Sequence, residues 1–217
     1  GKQPPCTEAV LASGVKRVIV GCTDPNPVVA GRGIRLLREK GLEVVAGVLR
    51  GECERQNEVF FHFMRTKLPF TVLKYAMTLD GKTATVSGKS QWITGEAARK
   101  RVHEDRGRYM AILTGVSTVL ADNPQLTCRI PGGKNPIRVI ADTKLRTPLS
   151  STVVQTARET PTWIVTAVSD AGRKKAYEDA GCRVLSVPAK EGELDLQAMM
   201  QRLGEEKVDS VMVESGG

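Results

Sequence analysis

Six short runs rich in aliphatic and β-branched residues, near 71–77, 109–114, 136–142, 162–167, 182–187 and 209–214, constrain this chain most. Each has the length of a strand, and residues of these types fit a pleated, packed surface. Segments of helical character, near 95–106, 170–180 and 195–206, fall between them. Strands alternating with helices predict an α/β domain with a largely parallel sheet. Upstream, V-K-R-V-I-V-G-C (15–22) reads as a strand and G-I-R-L-L-R-E-K-G (33–41) as a helix stopped by glycine; E-V-V-A-G-V-L is again strand-like. From Glu52 to Arg65 a single helix is expected, with Gln56, Phe60, Phe63 and Met64 recurring along it. That order is the back half of an α/β layer. The proline in T-K-L-P-F (66–70) breaks the periodicity, which divides the chain into 1–68 and 69–217.

Composition narrows the function classes. The 217 residues carry a formal net charge of +8, which favours an anionic partner. Aromatic residues make up only 4%, and no basic cluster is interleaved with stacking rings, so a nucleic-acid track is not expected. The basic residues are spread along the chain, as suits phosphorylated small molecules. No apolar run approaches bilayer length and no signal-peptide layout opens the sequence, so no membrane partner is expected and the cytoplasm is the default compartment. Five cysteines at 6, 22, 53, 128 and 182, with no C-x-x-C, make neither a disulfide framework nor a complete zinc site. Cys22 and Cys182 adjoin strand-like runs and read as buried small residues.

Several polar residues sit where packing alone does not ask for them. Lys74 shares a strand face with Val72 and Ala76, which places it at a wet edge or in a site. Ser90 and Trp92 follow a Gly-Lys turn; the tryptophan is equally a core residue on its own evidence. Thr94 is the expected N-cap of the next helix, on which Ala98, Val102 and Arg106 make one stripe. An arginine ending a buried stripe caps the helix or meets an anion. Ser117 and Thr118 open a short helix after a strand, where amides can hold phosphate oxygens. Glu214, read alone, is a solvated strand end. No G-x-G-x-x-G follows any strand, so a Rossmann dinucleotide site is not expected.

The segments F-T-V-L-K-Y-A-M-T-L-D-G-K-T-A, S-Q-W-I-T-G-E-A-A-R and I-L-T-G-V-S-T-V-L-A-D-N-P-Q-L-T-C-R closely resemble the reductase domain of the bifunctional riboflavin-biosynthesis deaminase/reductase family. Upstream, G-K-Q-P-P-C and T-D-P-N-P-V-V-A-G-R-G resemble the end of that family's deaminase domain. The resemblance implies the C-terminal part of a cytidine-deaminase-like α/β/α layer over 1–68. A dihydrofolate-reductase-like α/β domain would follow over 69–217, incomplete at its C-terminus. It implies NADPH as cofactor, contacted by Ala76, Trp92, Thr118, Asp122, Thr143, Gly216 and Gly217. It assigns a phosphorylated pyrimidine substrate to Ser90, Arg106, Leu126, Arg129 and Glu214, with Lys74 and Glu214 as the catalytic pair and Arg106 on the ribose phosphate. A homo-oligomer is also implied.

Zinc deaminases need a His, two Cys and a proton-moving Glu. The H-x-E element and the first P-C are absent here, and neither His62 nor His103 is followed two residues later by Glu. Cys6 alone matches a zinc ligand, and Zn2+ is expected only in a complete deaminase domain; as a plain residue Cys6 is a small side chain preceding a helix. The reaction implied for 69–217 is NADPH-dependent reduction of the ribosyl side chain of 5-amino-6-(5-phosphoribosylamino)uracil to ribityl. Two alternatives stay open: a standalone dihydrofolate-reductase-like enzyme with another substrate, and a non-catalytic nucleotide-binding module.

Overall fold

The computed structural model describes residues 6–26, 28–90 and 92–214, in two compact units, 1–67 and 68–217. In the first unit α1 (Cys6–Ala12) precedes β1 (Arg17–Val20), α2 (Arg32–Glu39) and β2 (Glu43–Ala46), and β1 and β2 pair in parallel with Arg17 opposite Glu43. Leu37 and Val44 are buried. The helix expected over 52–65 is two helices, α3 (Arg50–Gln56) and α4 (Glu58–Thr66). Asn57 separates them at φ −114°, its side-chain amide donating to the Cys53 carbonyl at 2.9 Å. The break turns α4, so Phe61 is buried while Phe60 is 43% exposed, contrary to the expected aromatic stripe. Cys22 is half-buried rather than buried.

The second unit contains β3 (Phe70–Lys74), α5 (Glu96–Arg108), β4 (Ala111–Gly115), α6 (Val116–Asp122) and β5 (Ile137–Ala141). It continues with α7 (Thr152–Gln155), β6 (Thr162–Thr166), α8 (Ala171–Asp179), β7 (Arg183–Ser186), β8 (Ala189–Lys190), β9 (Glu193–Leu194), α9 (Leu196–Glu205) and β10 (Ser210–Glu214). Six strands form one sheet in the order β3-β10-β4-β5-β6-β7, every pair parallel. Side chains alternate between the two faces, and both faces are apolar. Ala111, Leu113, Val139, Val165 and Val211 pack with Met199 and Leu203 of α9. Ile112, Ile140 and Ile164 pack on the other side with Val153 and Val154 of α7 and Tyr177 of α8. Two-sided cover is what removes the polar alternation from these strands.

Aspartates start two of the covering helices: Asp170 accepts from the Arg173 amide and Asp195 from the Ala198 amide, each at 3.0 Å. Helix α5 differs. Its N-cap is Gly95 with no side-chain cap, not Thr94, and none of its residues is buried. The hairpin β8-β9, absent from the sequence reading, turns through Glu191 and Gly192, both at positive φ as a two-residue hairpin turn requires. Among the described residues no helix is long and apolar enough to cross a membrane.

Arg138 on β5 is fully buried. Its guanidinium donates to the Gln125 carbonyl (3.2 Å), the Thr156 hydroxyl (2.8 Å) and the carbonyls of Val153 (3.1 Å), Thr156 (3.0 Å) and Thr160 (2.8 Å). Burial pushes its pKa down to about 10, so it still carries its proton at neutral pH. Gln125 precedes Leu126, which has φ 53° and is buried in the core. The arginine thereby anchors the backbone that continues to Arg129.

Candidate active site

Parallel strands send their carboxyl ends to one edge of a sheet, where ligands of open α/β proteins gather. Here β10 lies between β3 and β4, and its register sets Glu214 opposite Lys74 at that edge. Lys74 Nζ stands 3.8 Å from Glu214 Oε2. Arg106, in the last turn of α5, meets the same carboxylate with both sides of its fork: Nε to Oε1 at 2.7 Å and Nη2 to Oε2 at 2.8 Å. Its Nη1 donates to the Thr127 carbonyl at 3.1 Å. The Arg106 and Glu214 side chains are only 12% and 11% exposed, so this is a nearly buried bidentate pair.

These groups form part of the wall of an open cavity of about 220 Å³. Lys74 and Ala76 line it from the end of β3, Glu214 from β10, and Arg99, Val102, His103 and Arg106 from α5. Thr83, Ser90, Trp92, Ile93 and Thr94 come from the connection before α5, and Arg129 from the loop after α6. That connection is built from two successive turns of the same kind, T-L-D-G-K (78–82) and T-V-S-G-K (85–89). In each the lysine amide donates to the threonine hydroxyl at 3.0 Å, and the threonine amide donates to the lysine carbonyl at 2.8 or 2.9 Å. Gly81 and Gly88 supply the positive φ that each turn needs. The pair of turns brings Ser90 and Trp92 back against α5. Trp92 is 73% exposed, so it is not a core residue, and the Arg99 guanidinium lies 4.5 Å over its ring while donating to the Thr94 carbonyl at 2.6 Å.

Seven of the residues singled out in the sequence therefore meet in one cavity: Lys74, Ala76, Ser90, Trp92, Arg106, Arg129 and Glu214. Two expectations are corrected in detail. Glu214 is not a solvated strand end but the buried partner of two cations, and Arg106 does not stand free to meet an anion. Leu126 points into the core instead of the cavity. Thr118 is half-buried in α6, and Asp122 is exposed at its end. Thr143 follows β5 and donates its hydroxyl to Glu193 Oε2 at 3.0 Å. These residues lie at or beyond the carboxyl ends of β4 and β5, but do not line this cavity. Gly216 and Gly217 lie outside the described residues. Cys6 is exposed on α1, and among the described residues no group of three His, Cys, Asp or Glu side chains is placed to hold a metal.

The sequence reading passed over Arg99, His103 and Thr83. The signal for the first two was present: Arg99, Val102, His103 and Arg106 are spaced i, i+3, i+4 and i+7, one face of a helix. Of the stripe expected through Ala98, Val102 and Arg106, the last two line the cavity, while Ala98 is exposed and Arg99 takes its place. His103 lies among cations. Its burial first, then the charges of Arg106 and Arg129, push its pKa below the ordinary imidazole value, against the Thr127 carbonyl and Glu214. Four cationic side chains thus face one carboxylate in the cavity, which selects for an anionic ligand.

A parallel α/β sheet with a cationic cavity at its carboxyl edge places this chain among the open α/β proteins that hold small molecules at that edge. Residues 69–217 match the family model described as the RibD C-terminal domain, and the chain belongs to that family. It is 49% identical over 216 residues to the riboflavin biosynthesis protein RibD of Actinobacillus pleuropneumoniae, an alignment covering all of this chain and 57% of that protein. The crystal structure of the diaminohydroxyphosphoribosylaminopyrimidine deaminase/5-amino-6-(5-phosphoribosylamino)uracil reductase of Thermotoga maritima superposes with a TM-score of 0.84 at 39% identity, over 100% of this chain and 58% of that one. The riboflavin biosynthesis reductase Rib7 of Saccharomyces cerevisiae matches 70% of this chain and 64% of its own, with a TM-score of 0.53 and 26% identity. The chain thus spans somewhat more than half the length of the curated relative and of the Thermotoga structure. The matched structures share the α/β fold, consistent with the dihydrofolate-reductase-like architecture expected of 69–217.

Proposed function

We propose that the 69–217 region carries the NADPH-dependent reduction of the ribosyl side chain of 5-amino-6-(5-phosphoribosylamino)uracil to ribityl. The observation that carries this reading is the convergence of Lys74, Ser90, Arg106, Arg129 and Glu214 on one cationic cavity. These residues are spread over 141 positions of sequence, and with Leu126, which lies in the core, they make up the set the resemblance assigns to substrate or catalysis. The Thermotoga structure is that of a deaminase that is also a reductase of that uracil compound, and the yeast one that of a riboflavin biosynthesis reductase.

The residues present fit a nicotinamide dinucleotide. Ala76 offers a small, half-buried surface in the cavity, and Trp92 a flat exposed one beside the Arg99 cation. When bound, NADPH supplies the hydride for C1 of the open-chain sugar, whose C=O or C=N bond must also gain a proton. The protein's part is binding and orientation. Arg129 and Ser90 take the anionic end of the substrate. Lys74 donates a hydrogen bond to the heteroatom that accepts the proton, and Glu214, clamped by Arg106, holds the lysine within 3.8 Å. Thr118, Asp122 and Thr143, at or beyond the ends of β4 and β5, are read as contacts to the rest of the cofactor. Pairing of two copies and a cytoplasmic location belong to the same reading.

The first unit is read as the end of a zinc deaminase domain, with Cys6 as one ligand and deamination belonging to the longer protein. One ligand does not make a site, so no hydrolytic step is assigned to this chain. The test is NADPH oxidation by the intact protein with the phosphoribosylaminouracil, with dihydrofolate as control. Turnover of the uracil compound alone supports the reading. Turnover of dihydrofolate would favour a different reductase, and binding without turnover a nucleotide-binding module.

A further inference from the structure

The loop after α6 brings Arg129 to the cavity at the end of three consecutive residues, each tied by its backbone. The Thr127 carbonyl accepts from Arg106 at 3.1 Å, the Cys128 amide donates to Asn135 Oδ1 at 2.9 Å, and the Arg129 amide donates to His103 Nδ1 at 3.2 Å. The Cys128 thiol adds a fourth tie, donating to the His103 carbonyl at 3.1 Å. The Arg129 side chain is exposed, and no side-chain partner within the described residues explains its direction, so the backbone bonds set where it stands. Of the backbone ties, only the one to the imidazole has a partner that titrates near neutrality.

We propose that His103 is a positioning residue that fixes Arg129 in the cavity: its Nδ1, as hydrogen-bond acceptor, seats the Thr127–Arg129 turn on α5. The inference rests on the functional reading only for what Arg129 then binds. An Nδ1 that accepts an N–H bears no proton, so the neutral ring carries its single proton on Nε2. Protonation would turn Nδ1 into a donor facing another donor and break the tie. It would also add a positive charge beside Arg99 and Arg106 of the same helix, Arg129 of the loop and Lys74 of β3, with Glu214 of β10 the one opposing charge in the cavity. The surroundings favour the neutral ring, since burial and the Arg106 and Arg129 charges lower its pKa against the Thr127 carbonyl and Glu214.

Hydrogen exchange of the Arg129 amide and nitrogen NMR of the imidazole, both on the 217-residue chain, test this directly. The expected result is an unprotonated Nδ1 at pH 7. In His103→Ala the Arg129 amide should exchange roughly tenfold faster, as losing one ordinary hydrogen bond allows. His103→Asn, whose Oδ1 stands near the place of Nδ1, should restore protection. In the intact protein, His103→Ala should raise KM for the phosphorylated substrate with NADPH affinity unchanged, and His103→Asn should recover most of it. The Asn variant should also lose the part of the acid-side rise in KM that comes from the ring, keeping only that from the substrate phosphate. Equal Arg129 exchange in wild type and His103→Ala, or a proton on Nδ1, overturns the proposal. If the wild-type protein does not turn over the uracil compound while Arg129 responds as described, the functional reading falls and the positioning role stands.

Discussion

Arg106 and Arg129 look alike in the sequence, each an arginine following an apolar segment, yet the structure requires them to fail differently. Arg106→Ala removes the fork that holds Glu214 at 2.7 and 2.8 Å and leaves a carboxylate only 11% exposed. Lys74, at 3.8 Å and one-third exposed, is a poor substitute. Breaking a buried pair by deleting one partner costs about 3–5 kcal/mol. That is a large fraction of the roughly 5–15 kcal/mol that holds a domain folded. Arg129 is exposed, and its tie to the fold runs through its backbone amide, so Arg129→Ala should change stability by no more than about 0.5 kcal/mol. It should instead lose charge-assisted bonds to the substrate phosphate, about 1.5–3 kcal/mol each, which is roughly 10- to 150-fold in KM.

Urea unfolding followed by tryptophan fluorescence isolates the relevant unit, because both tryptophans, Trp92 and Trp163, lie in 68–217. With a urea slope of about 1–3 kcal/mol per molar, Arg106→Ala should lower the midpoint by at least about 1 M, and Arg129→Ala should leave it in place. In the double mutant Arg106→Ala/Glu214→Ala the losses should be strongly non-additive, since each single change already breaks the same pair. Equal midpoints for the two arginine variants, or additive losses in the Arg106–Glu214 cycle, would refute the assignment of Arg106 to a structural clamp.

Burial pushes the Cys182 thiol up to about 11 from an ordinary 9.0, with the Arg138 charge opposing. A raised pKa means the neutral thiol is the form the fold accepts. Its contribution is therefore complete below about pH 9 and lost as pH rises through 11, so unfolding midpoints should fall over that window in wild type and less so in Cys182→Ala. Native protein should also leave Cys182 unlabelled by a thiol reagent at pH 8. The chain should bind no stoichiometric zinc, because Cys6 is its single motif ligand; tight one-to-one zinc by elemental analysis would contradict this. Calorimetry on the intact protein should show NADPH preferred over NADH, and equal affinities would count against NADPH as the cofactor.

Much of the sheet was legible because two-sided burial writes a strand as a short apolar run. The six strands fall where such runs fall, although the run at 71–77 pairs only as far as Lys74. Local patterns were misleading where a single side chain outweighs periodicity. Asn57 splits a segment whose period is continuous, by bonding back to the Cys53 carbonyl. Leu126 is expected at the substrate from the resemblance, but a left-handed backbone turns it into the core. Arg138 is a charge inside an apolar strand run, and its burial becomes acceptable only when carbonyls from the segment around α7 close around it. The Arg138 partners lie 13 to 22 residues away in the chain, so no local pattern carries that information.

The candidate site shows the same division. Its residue types could be read at their positions, while their pairing depends on the place of β10. Strand order in a parallel sheet is fixed by crossovers that span the whole domain, and here the last strand enters between β3 and β4. That insertion sets Glu214 opposite Lys74 and within reach of Arg106, 108 residues earlier in the chain. Without it, Lys74 on the outer strand β3 would face no carboxylate and Arg106 would be a helix-end charge. With it, one carboxylate satisfies two cations and holds them at fixed separation, so they do not compete with Arg129 for an incoming anion. A site that must orient a sugar carbon gains from charges already fixed before the substrate arrives, because their ordering is then part of folding rather than of binding.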